Sequence, residues 1–524
     1  MLPDRFKARM EKLLGETEYK AFEASFDTED ERHHALRMNT LKVEDTGAGR
    51  VLAFALGKEA ESIPWEKRGF YYEGDAAPGK HPYHEAGLYY IQEPSAMAPV
   101  SFLDPKPGDR VLDLCAAPGG KSTQIADRLS GEGLLVTNEI NRDRAKILSL
   151  NIERMGIGNA LVLNEDSAHL ADVFEGYFDK ILVDAPCSGE GMFRKNEAAF
   201  SEWSEENVKL CAARQEEILD NAAKMLLPGG RLVYSTCTFA PEENEENVFK
   251  FLMKHPDFHV ASVELVGGME NGRAEFISEE VKDACKKNLL SAENSGNTDS
   301  TDYETNVENA ENIVDAGSVE CAENVERALA EISRSVRLWP HKVRGEGHFL
   351  CVFEREGSSD KEGNRSYIPG GKFIRAKKDM TAPYEEFCKE TLVEGTKLPG
   401  AFLKFGDQLY IAPEDMPSIM GLKALRPGLH LGTVKKDRFE PSHALALHIR
   451  KEDVKLSIDL SSDSAEIRQF LNGQTLRFSG DQHPELKDKK GWCLVLCDGY
   501  SIGWGKLAGG MLKNHYPKGL RINY

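Results

Sequence analysis

The chain has 524 residues, 40% of them hydrophobic and 29% charged, which is typical of a soluble protein with several domains. It has no apolar run near the ~18 residues of a membrane span and no apolar leader, so we expect a cytoplasmic monomer without a membrane partner. The net charge of −20 would disfavour a nucleic-acid partner if it were spread evenly, but residues 291–327 carry ten acids and one base, whereas residues 361–524 have a net charge of +6.

The first 98 residues are predicted to form an α/β module of their own, with helical periodicity over Phe6–Phe26 and a strand-like run over Ala35–Leu41. A second domain is predicted over residues 99–356, and residues 99–240 of it alternate apolar runs with amphipathic segments, which is typical of a parallel sheet with crossover helices. The predicted strands are Arg110–Cys115, Leu134–Glu139, Ala160–Asn164, Lys180–Asp184 and, after a turn at Gly229-Gly230, Arg231–Thr236; the predicted helices are Lys121–Leu129, Arg142–Met155 and Glu205–Met225.

An acidic segment, residues 288–327, interrupts this pattern, and its composition predicts a disordered or loosely helical insertion. Apolar, β-like residues return at Val336–Trp339 and Phe349–Phe353 and are expected to complete the sheet. A middle domain that opens with a Gly-rich linker is predicted over residues 357–454, and a β-like domain over residues 455–524.

A loop with small residues follows the first predicted strand of the sheet: Cys115-Ala116-Ala117-Pro118-Gly119-Gly120-Lys121. Small residues let the backbone approach a ligand, and the following helix presents free N–H groups at its N-terminus. Because open sheets bind ligands at this edge, we interpret the loop as a ligand site and not as a plain strand–helix turn. A phosphate loop is disfavoured, since GxxxxGK[ST] requires glycine where Cys115 stands.

Two acidic residues follow the next strands. Glu139 could take both hydroxyls of a ribose, as a nucleoside-bearing ligand needs, or it could be a solvated helix cap. Asp166 could accept a hydrogen bond from an adenine amino group, or it could cap the following helix. The preceding loop favours the nucleoside interpretation.

Two cysteines follow strands at the same predicted edge, in Asp184-Ala185-Pro186-Cys187-Ser188 and in Tyr234-Ser235-Thr236-Cys237-Thr238. The ten cysteines are irregularly spaced, with no pair of CxxC motifs, so we expect no metal site and mostly small, buried thiols. Turn N–H groups and a helix predicted from about Glu242 would favour a thiolate at this edge.

Two thiols beside such a ligand favour methyl transfer to a pyrimidine carbon. Carbon 5 is a poor nucleophile until a thiolate adds to carbon 6 and makes the ring an enamine, which can attack a sulfonium methyl group. The target base must leave any stack to receive that attack. Chemistry alone does not choose between Cys187 and Cys237, because DNA cytosine-5 methyltransferases use the cysteine of Pro-Cys.

Three motifs, Cys115–Lys121, Asp184–Met192 and Tyr234–Thr238, together resemble the NSUN (Nol/Nop/Sun) family of RNA cytosine-5 methyltransferases. Arg37–Lys42 and Ile91–Ser95 match the family's N-terminal RNA-binding module and its junction with the catalytic domain. The sequence looks most similar to the bacterial, RsmF-like branch, which modifies small-subunit ribosomal RNA. This resemblance runs to about residue 355, and a weaker one to a PUA-like RNA-binding domain covers the C-terminal part.

The resemblance implies an α/β fold, a Rossmann-like class I S-adenosylmethionine-dependent methyltransferase sheet with an N-terminal α/β RNA-binding module and C-terminal α+β and PUA-like domains. The implied partner is ribosomal RNA or the small ribosomal subunit. The acidic insertion departs from the family pattern. The implied site residues are Cys115–Lys121, Glu139, Asp166 and Asp184 for S-adenosylmethionine, Cys237 as the nucleophile, Cys187 for product release, and Lys195 with Asp184 in the active site.

Several alternatives stay open on the sequence. The substrate could be transfer RNA, or in principle DNA. A P-loop nucleotide hydrolase would use Gly-Lys-Ser with Lys180–Asp184 as its magnesium strand. A catalytically silent RNA-binding assembly factor is the third class, although a pure scaffold needs neither cysteine.

Overall fold

The computed structural model describes the chain except for residues 1, 28–32, 57–59, 196, 297–320, 359–373, 414–415, 437, 479–485, 487 and 524. The greater part of the acidic insertion and most of the predicted Gly-rich linker lie outside the described residues. The chain divides into two compact units, each built from three segments. The first unit comprises residues 1–33, 93–103 and 167–359, and the second unit comprises residues 34–92, 104–166 and 360–524.

The helices agree closely with the periodicity that predicted them. One helix, predicted from about Glu242, begins later, because the amides of Glu243 and Asn244 first form turns with the carbonyls of Ala240 and Pro241. In the described part of the chain the helices are α1 (Asp4–Asp27), α2 (Asp45–Leu56), α3 (Pro82–Glu85), α4 (Ala98–Leu103), α5 (Gly120–Leu129), α6 (Arg142–Arg154), α7 (Ser167–Val173), α8 (Glu197–Glu202), α9 (Glu205–Met225), α10 (Glu245–Lys254), α11 (Glu279–Gly296), α12 (residues 321–332), α13 (Lys378–Thr391), α14 (His443–His448) and α15 (Ala465–Asn472).

The strands follow the predicted apolar runs, and their bounds shift by a few residues. Gly229-Gly230, predicted as a turn before the fifth strand of the sheet, lies inside the bounds of a longer strand, Leu226–Thr236, but at an irregularity: Gly229 has φ of 76°, and strand pairing resumes at Arg231. The strands are β1 (His34–Met38), β2 (Glu61–Ile63), β3 (Glu66–Tyr72), β4 (Tyr89–Ile91), β5 (Arg110–Asp113), β6 (Leu134–Asn138), β7 (Ala160–Leu163), β8 (Phe178–Asp184), β9 (Leu226–Thr236), β10 (Phe258–Val260), β11 (Glu270–Asn271), β12 (Val336–Leu338), β13 (His348–Arg355), β14 (Ile374–Arg375), β15 (Ala401–Phe405), β16 (Gln408–Ala412), β17 (Ala424–Pro427), β18 (Leu429–Lys435), β19 (Arg438–Pro441), β20 (Ser457–Leu460), β21 (Leu476–Arg477), β22 (Gly491–Cys497), β23 (Tyr500–Ala508) and β24 (Met511–Asn514).

In the first unit, β8 and β9 run parallel, and β13 pairs antiparallel with β9. The strands β10 and β12 pair with β13, so the β-like runs after the insertion do complete this sheet. An aromatic cluster joins α1 to the loops of this unit: Phe22 packs edge-on against Phe239, which stacks on Trp339 at 5.4 Å.

In the second unit, β5, β6 and β7 are parallel. The helix α5 follows β5, and the helix α6 follows β6. The strand β17, from the predicted middle domain, pairs antiparallel with β7, which the sequence did not indicate. The remaining strands of the second unit form three further sheets, with the orders β2-β3-β1-β4, β14-β15-β16-β18-β19 and β20-β22-β23-β24-β21.

The segment Arg37–Lys42 forms hydrogen bonds in the interior of the second unit. Arg37 is fully buried and donates to the Thr123 hydroxyl of α5 at 2.8 Å. The side-chain amide of Asn39 donates to the Met155 carbonyl, and the Thr40 hydroxyl donates to the Asp127 carboxylate. These buried contacts fix α5 and the end of α6, so this motif positions the loop that precedes α5.

The acidic insertion is helical where it is described. The helix α11 continues to Gly296, and residues 321–327 belong to α12, whereas residues 297–320 lie outside the described part. Among the residues that the structure describes, none of the helices combines the length and the apolar character that crossing a bilayer requires.

Candidate active site

The loop Cys115–Lys121 turns from β5 into α5 and is held from outside by α6. Arg144 donates to the Ala117 carbonyl at 2.7 Å, and Asn151 donates to the Pro118 carbonyl at 2.8 Å. Gly119 is the N-cap of α5, with φ of 114° and no side chain to accept from the helix. A Cβ there would lie 3.1 Å from Leu148 Cδ1, so this turn requires glycine. The first amides of α5 therefore have no side-chain cap, which suits an anionic ligand group.

The residue Ser122 does not have the setting of a magnesium-binding P-loop serine. Its side chain is fully buried, donates to Asp113 Oδ2 at 2.6 Å and lies 2.7 Å from Thr137 Oγ1. A P-loop hydroxyl must face the metal beside the phosphates. The buried hydrogen bonds of Ser122 therefore argue against the nucleotide-hydrolase alternative.

Glu139 follows β6 and is held in one orientation, with 3% of its surface exposed. Its Oε1 accepts from the Asn141 amide at 2.8 Å, and its Oε2 lies 3.3 Å from Arg144 Nη1. Each oxygen keeps a lone pair for a ligand hydroxyl. The neighbouring Ile140 is 70% exposed, and its apolar side chain would suit the flat face of a base.

Asp166 is exposed and lines a cavity of about 960 Å³ in the second unit, together with Ile140. The other lining residues are Arg142, Lys146, Ser149, Leu150, Asn164, Glu165, Lys423, Ala424 and Leu425. Uncapped amides, a fixed carboxylate and an exposed apolar side chain are the groups that an amino-acid-bearing nucleoside needs. The residues of this unit therefore fit the predicted cofactor.

The two predicted thiols of the first unit lie together, with 3.1 Å between Cys187 Sγ and Cys237 Sγ. Parallel pairing brings them there, because Asp184 of β8 is opposite Ser235 of β9 and both turns begin at the same edge. The Ser235 hydroxyl donates to Asp184 Oδ1 at 2.8 Å. The sequence motifs thus place two cysteines, 50 positions apart, in direct contact.

Gly191 allows the two thiol-bearing turns to approach. Its amide donates to the Cys237 carbonyl at 2.9 Å. A Cβ at this position would lie 3.0 Å from that carbonyl oxygen and 3.0 Å from the Gly347 carbonyl oxygen. Alanine would therefore push the two turns apart.

The two thiols are not equivalent. The contact with the Cys237 thiol, followed by burial, raises the pKa of the Cys187 thiol well above its usual value. Cys187 therefore stays protonated at neutral pH and can donate to the sulfur of Cys237. As donor, Cys187 has the Cys237 sulfur as its acceptor, which is compatible with the attacking role that the resemblance implies for Cys237.

Two buried glutamates, which the sequence motifs did not single out, bind the residues that follow the thiols. Glu243 Oε2 accepts from the Ser188 amide at 3.0 Å, and Glu243 Oε1 lies 2.5 Å from the Ser188 hydroxyl oxygen. Glu190 accepts from the Thr238 hydroxyl and from the Phe239 amide, each at 2.9 Å. The motif around Cys187 contains Glu190, but its acidic character indicates a solvated turn and gives no signal of burial.

The remaining predicted residues lie in the same unit as the thiols. Lys195 is on the surface, and its Nζ lies 3.5 Å from Glu346 Oε1. Arg194 holds the other oxygen of that carboxylate at 2.7 Å. His348, which the sequence did not single out, is buried with its Nε2 3.6 Å from Asp184 Oδ1. It lies at the start of β13, far along the chain from the motif that it approaches.

Comparison with known families gives four matches along the chain. Residues 2–94 match the N-terminal domain of 16S rRNA methyltransferase RsmF, and residues 100–354 match the 16S rRNA methyltransferase RsmB/F family. Residues 386–449 match the first C-terminal domain of RsmF rRNA methyltransferase, and residues 456–522 match the methyltransferase RsmF PUA domain. The predicted domain bounds stay predictions.

Relatives of this chain are similar over nearly their whole length. The ribosomal RNA small subunit methyltransferase F of Aeromonas salmonicida (strain A449) is 30% identical over 501 residues, which cover 93% of this chain and 90% of the relative. That of Vibrio vulnificus (strain YJ016) is 29% identical over 492 residues, with the same coverage.

Solved structures are similar in fold. The crystal structure of PH0851 is 26% identical and covers 68% of this chain and 66% of its own, with a TM-score of 0.51. A methyltransferase homologue from Pyrococcus horikoshii is 24% identical and covers 67% of this chain and 100% of its own, with a TM-score of 0.50. These similarities confirm the predicted α/β, Rossmann-like methyltransferase fold.

Proposed function

Because this chain belongs to the ribosomal RNA small subunit methyltransferase F family, we propose that it forms 5-methylcytosine in 16S ribosomal RNA through a covalent adduct with Cys237. The family matches confirm the predicted resemblance. They also confirm S-adenosylmethionine as the cofactor of this RNA methyltransferase family. The observation that supports cytosine carbon 5 is the thiol pair, with 3.1 Å between the sulfurs. Methyl transfer to a nitrogen or an oxygen needs no thiol.

In the proposed reaction, Cys237 attacks as the thiolate. Its sulfur bonds to carbon 6 of the cytosine, and the electron pair of the 5,6 double bond moves to carbon 5, which then takes the methyl group. Loss of the carbon-5 proton restores the double bond and expels the sulfur of Cys237. A hydrogen bond from the Cys187 thiol would stabilise the Cys237 thiolate before the attack.

Cys187 is suited to the second half of the reaction. Its pKa is raised chiefly by the neighbouring Cys237 thiol. Once the sulfur of Cys237 is bonded to carbon 6, it no longer carries charge, so Cys187 becomes easier to ionise. We propose that Cys187 then assists the loss of the carbon-5 proton and the release of the product.

The second unit supplies the residues that would hold S-adenosylmethionine, which provides the methyl group when bound. The uncapped amides after Gly119 would bind its carboxylate, with the backbone of Cys115–Lys121 close around it. Glu139 would accept from the ribose hydroxyls, and Asp166 from the adenine amino group. Asp184 and Lys195, in the first unit, stay proposed site residues on the resemblance alone.

Replacing Glu139 with glutamine is expected to weaken S-adenosylmethionine binding about 10- to 100-fold, because a hydrogen bond to a charged acceptor contributes ~1.5–3 kcal/mol. Isothermal titration calorimetry of the full chain measures this loss. Glu132→Gln, in the exposed turn before β6, is the matched control. Unchanged affinity in Glu139→Gln would remove Glu139 from the cofactor site.

Bisulfite mapping of ribosomal RNA tests the proposed product. RNA from cells with the protein is expected to retain at least one cytosine in 16S RNA that bisulfite converts in its absence. The purified chain should restore that protection on naked RNA or on isolated small subunits. Protection confined to transfer RNA would favour the alternative substrate, and complete conversion of both RNAs would contradict cytosine methylation.

A further inference from the structure

Four buried oxygen atoms form a continuous chain that joins the residues after the two thiols. Glu243 Oε1 lies 2.5 Å from Ser188 Oγ, which lies 2.8 Å from Thr238 Oγ1, which in turn lies 2.9 Å from Glu190 Oε2. The four residues are at most 5% exposed. Ser188 follows Cys187 and Thr238 follows Cys237, so this oxygen chain connects both thiol-bearing turns.

The oxygen chain contains three contacts, and each needs one hydrogen. The two hydroxyl groups supply two hydrogens. If both carboxylates were ionised, one pair of oxygens would face each other at 2.9 Å or less without a hydrogen, which is repulsive in a buried site. A third hydrogen on one of the carboxyl groups completes the chain.

The other contacts of the two carboxyl groups decide which one carries that hydrogen. Both Glu190 oxygens accept from N–H donors, Oε1 from the Trp203 indole and Oε2 from the Phe239 amide, each at 2.9 Å. In Glu243, Oε2 accepts from the Ser188 amide and from Gln215 Nε2, and Oε1 faces the Ser188 hydroxyl. The hydrogen therefore belongs on Glu243 Oε1.

We propose that Glu243 and Glu190 share one proton, held on Glu243, and that the protonated oxygen chain is a positioning device that keeps the Cys187 and Cys237 turns together. Glu243–H donates to Ser188, Ser188 donates to Thr238, and Thr238 donates to ionised Glu190. The effect on catalysis rests on the proposed function of the thiols, whereas the presence of the proton does not.

The surroundings of Glu243 agree with this assignment. Burial, together with the charge of Glu190, raises the pKa of Glu243 to about 7. The titratable groups that face it are Glu190, Cys187, Cys211 of α9 and Tyr234 of β9, whose hydroxyl donates to the Glu243 carbonyl. Each of these groups is neutral or negative, so ionising Glu243 would add a second buried negative charge.

The sign of the pH dependence follows. The folded pKa of Glu243 is above its ordinary value, so the contribution of the protonated form to stability is complete below about pH 4.5 and is lost as the pH rises through about 7. Above that pH the oxygen chain has two hydrogens for three contacts. We expect the thiol turns to loosen and the rate to fall on the alkaline side.

Three variants of the full chain test the assignment by kinetics. Glutamine at 243 can donate its amide to Ser188 and accept with its oxygen, so Glu243→Gln is expected to lose at most several-fold in rate, whereas Glu243→Ala loses about 100-fold or more. The rate of Glu190→Gln should fall as far as that of Glu243→Ala, because the glutamine amide nitrogen cannot accept the hydrogen bonds that one Glu190 oxygen accepts. In Glu243→Gln, the fall of the rate as the pH rises through about 7 (the alkaline limb of the pH–rate profile) should disappear. Equal losses in the two position-243 variants, or an unchanged alkaline limb, would overturn the proposal.

Infrared spectroscopy tests the proton without RNA and without activity. The wild-type chain should show a protonated carboxyl band that titrates near pH 7 and is missing in Glu243→Gln. A wild-type spectrum without that band would overturn the proposal even if Glu243→Gln failed to fold. A present band with no cytosine methylation would leave the proton assigned and the proposed function rejected.

Discussion

Replacing Cys237 with alanine should abolish both methyl transfer and any covalent RNA adduct, with a loss of about 10⁴-fold or more, as removal of a covalent nucleophile causes. Carbon 5 has no other route to the electron pair that it donates. Transfer of a radiolabelled methyl group measures the rate, and a denaturing gel of the protein with its RNA measures the adduct.

The companion change, Cys187→Ala, is expected to give the opposite gel result. The attack by Cys237 remains possible, but the group proposed to assist release is absent, so the adduct should accumulate while turnover falls. Cys285→Ala, a half-buried thiol of α11, is the matched control and should change neither readout. Activity retained in Cys237→Ala, with adduct lost in Cys187→Ala, would mean that the two roles are reversed.

Replacing Arg337 with methionine is expected to reduce the free energy of unfolding by about 3–5 kcal/mol, because it leaves a buried carboxylate without its partner. Arg337 is 1% exposed and donates to Glu245 Oε1 at 2.7 Å and Oε2 at 2.5 Å. It also donates to the Phe239 carbonyl and lies over the Trp339 ring at 4.7 Å. Since Phe239 follows the Cys237 turn, the change should lower activity as well. Urea denaturation of the full chain measures the loss.

Two further variants isolate the cause of that loss. Arg438→Met breaks an exposed ion pair with Glu440 and should cost less than ~1 kcal/mol. The double change Arg337→Met with Glu245→Gln should recover part of the stability, because no buried charge is then left alone. A double variant as unstable as the sum of the two single changes would show that packing, and not charge, causes the loss.

The sequence predicted the parts of this protein that obey local rules. Alternating apolar runs located β5 to β9, and the rule that parallel strands share an edge placed Cys187 and Cys237 at the same edge of the sheet. The helix bounds of α5, α6 and α9 follow from periodicity in the same way.

The parts that the sequence did not predict depend on contacts between distant segments. Nothing local indicates that Glu190 and Glu243 are fully buried, because acidic residues are usually solvated. Nothing before β17 indicates that it will pair with β7. The 3.1 Å contact between the two thiols likewise depends on segments that are far apart in the chain, and no motif contains that distance.

The division into two compact units has a consequence for synthesis on the ribosome. The first unit needs residues up to 359, and the second needs residues beyond 360, while segments of both alternate over the first 166 positions. Domains usually fold as units during translation, N-terminal first. Here the second unit cannot be completed until the last third of the chain has emerged from the ribosome, although its first two segments are synthesised early. A nascent chain halted near residue 359 would thus contain every segment of the first unit but only two of the three segments of the second.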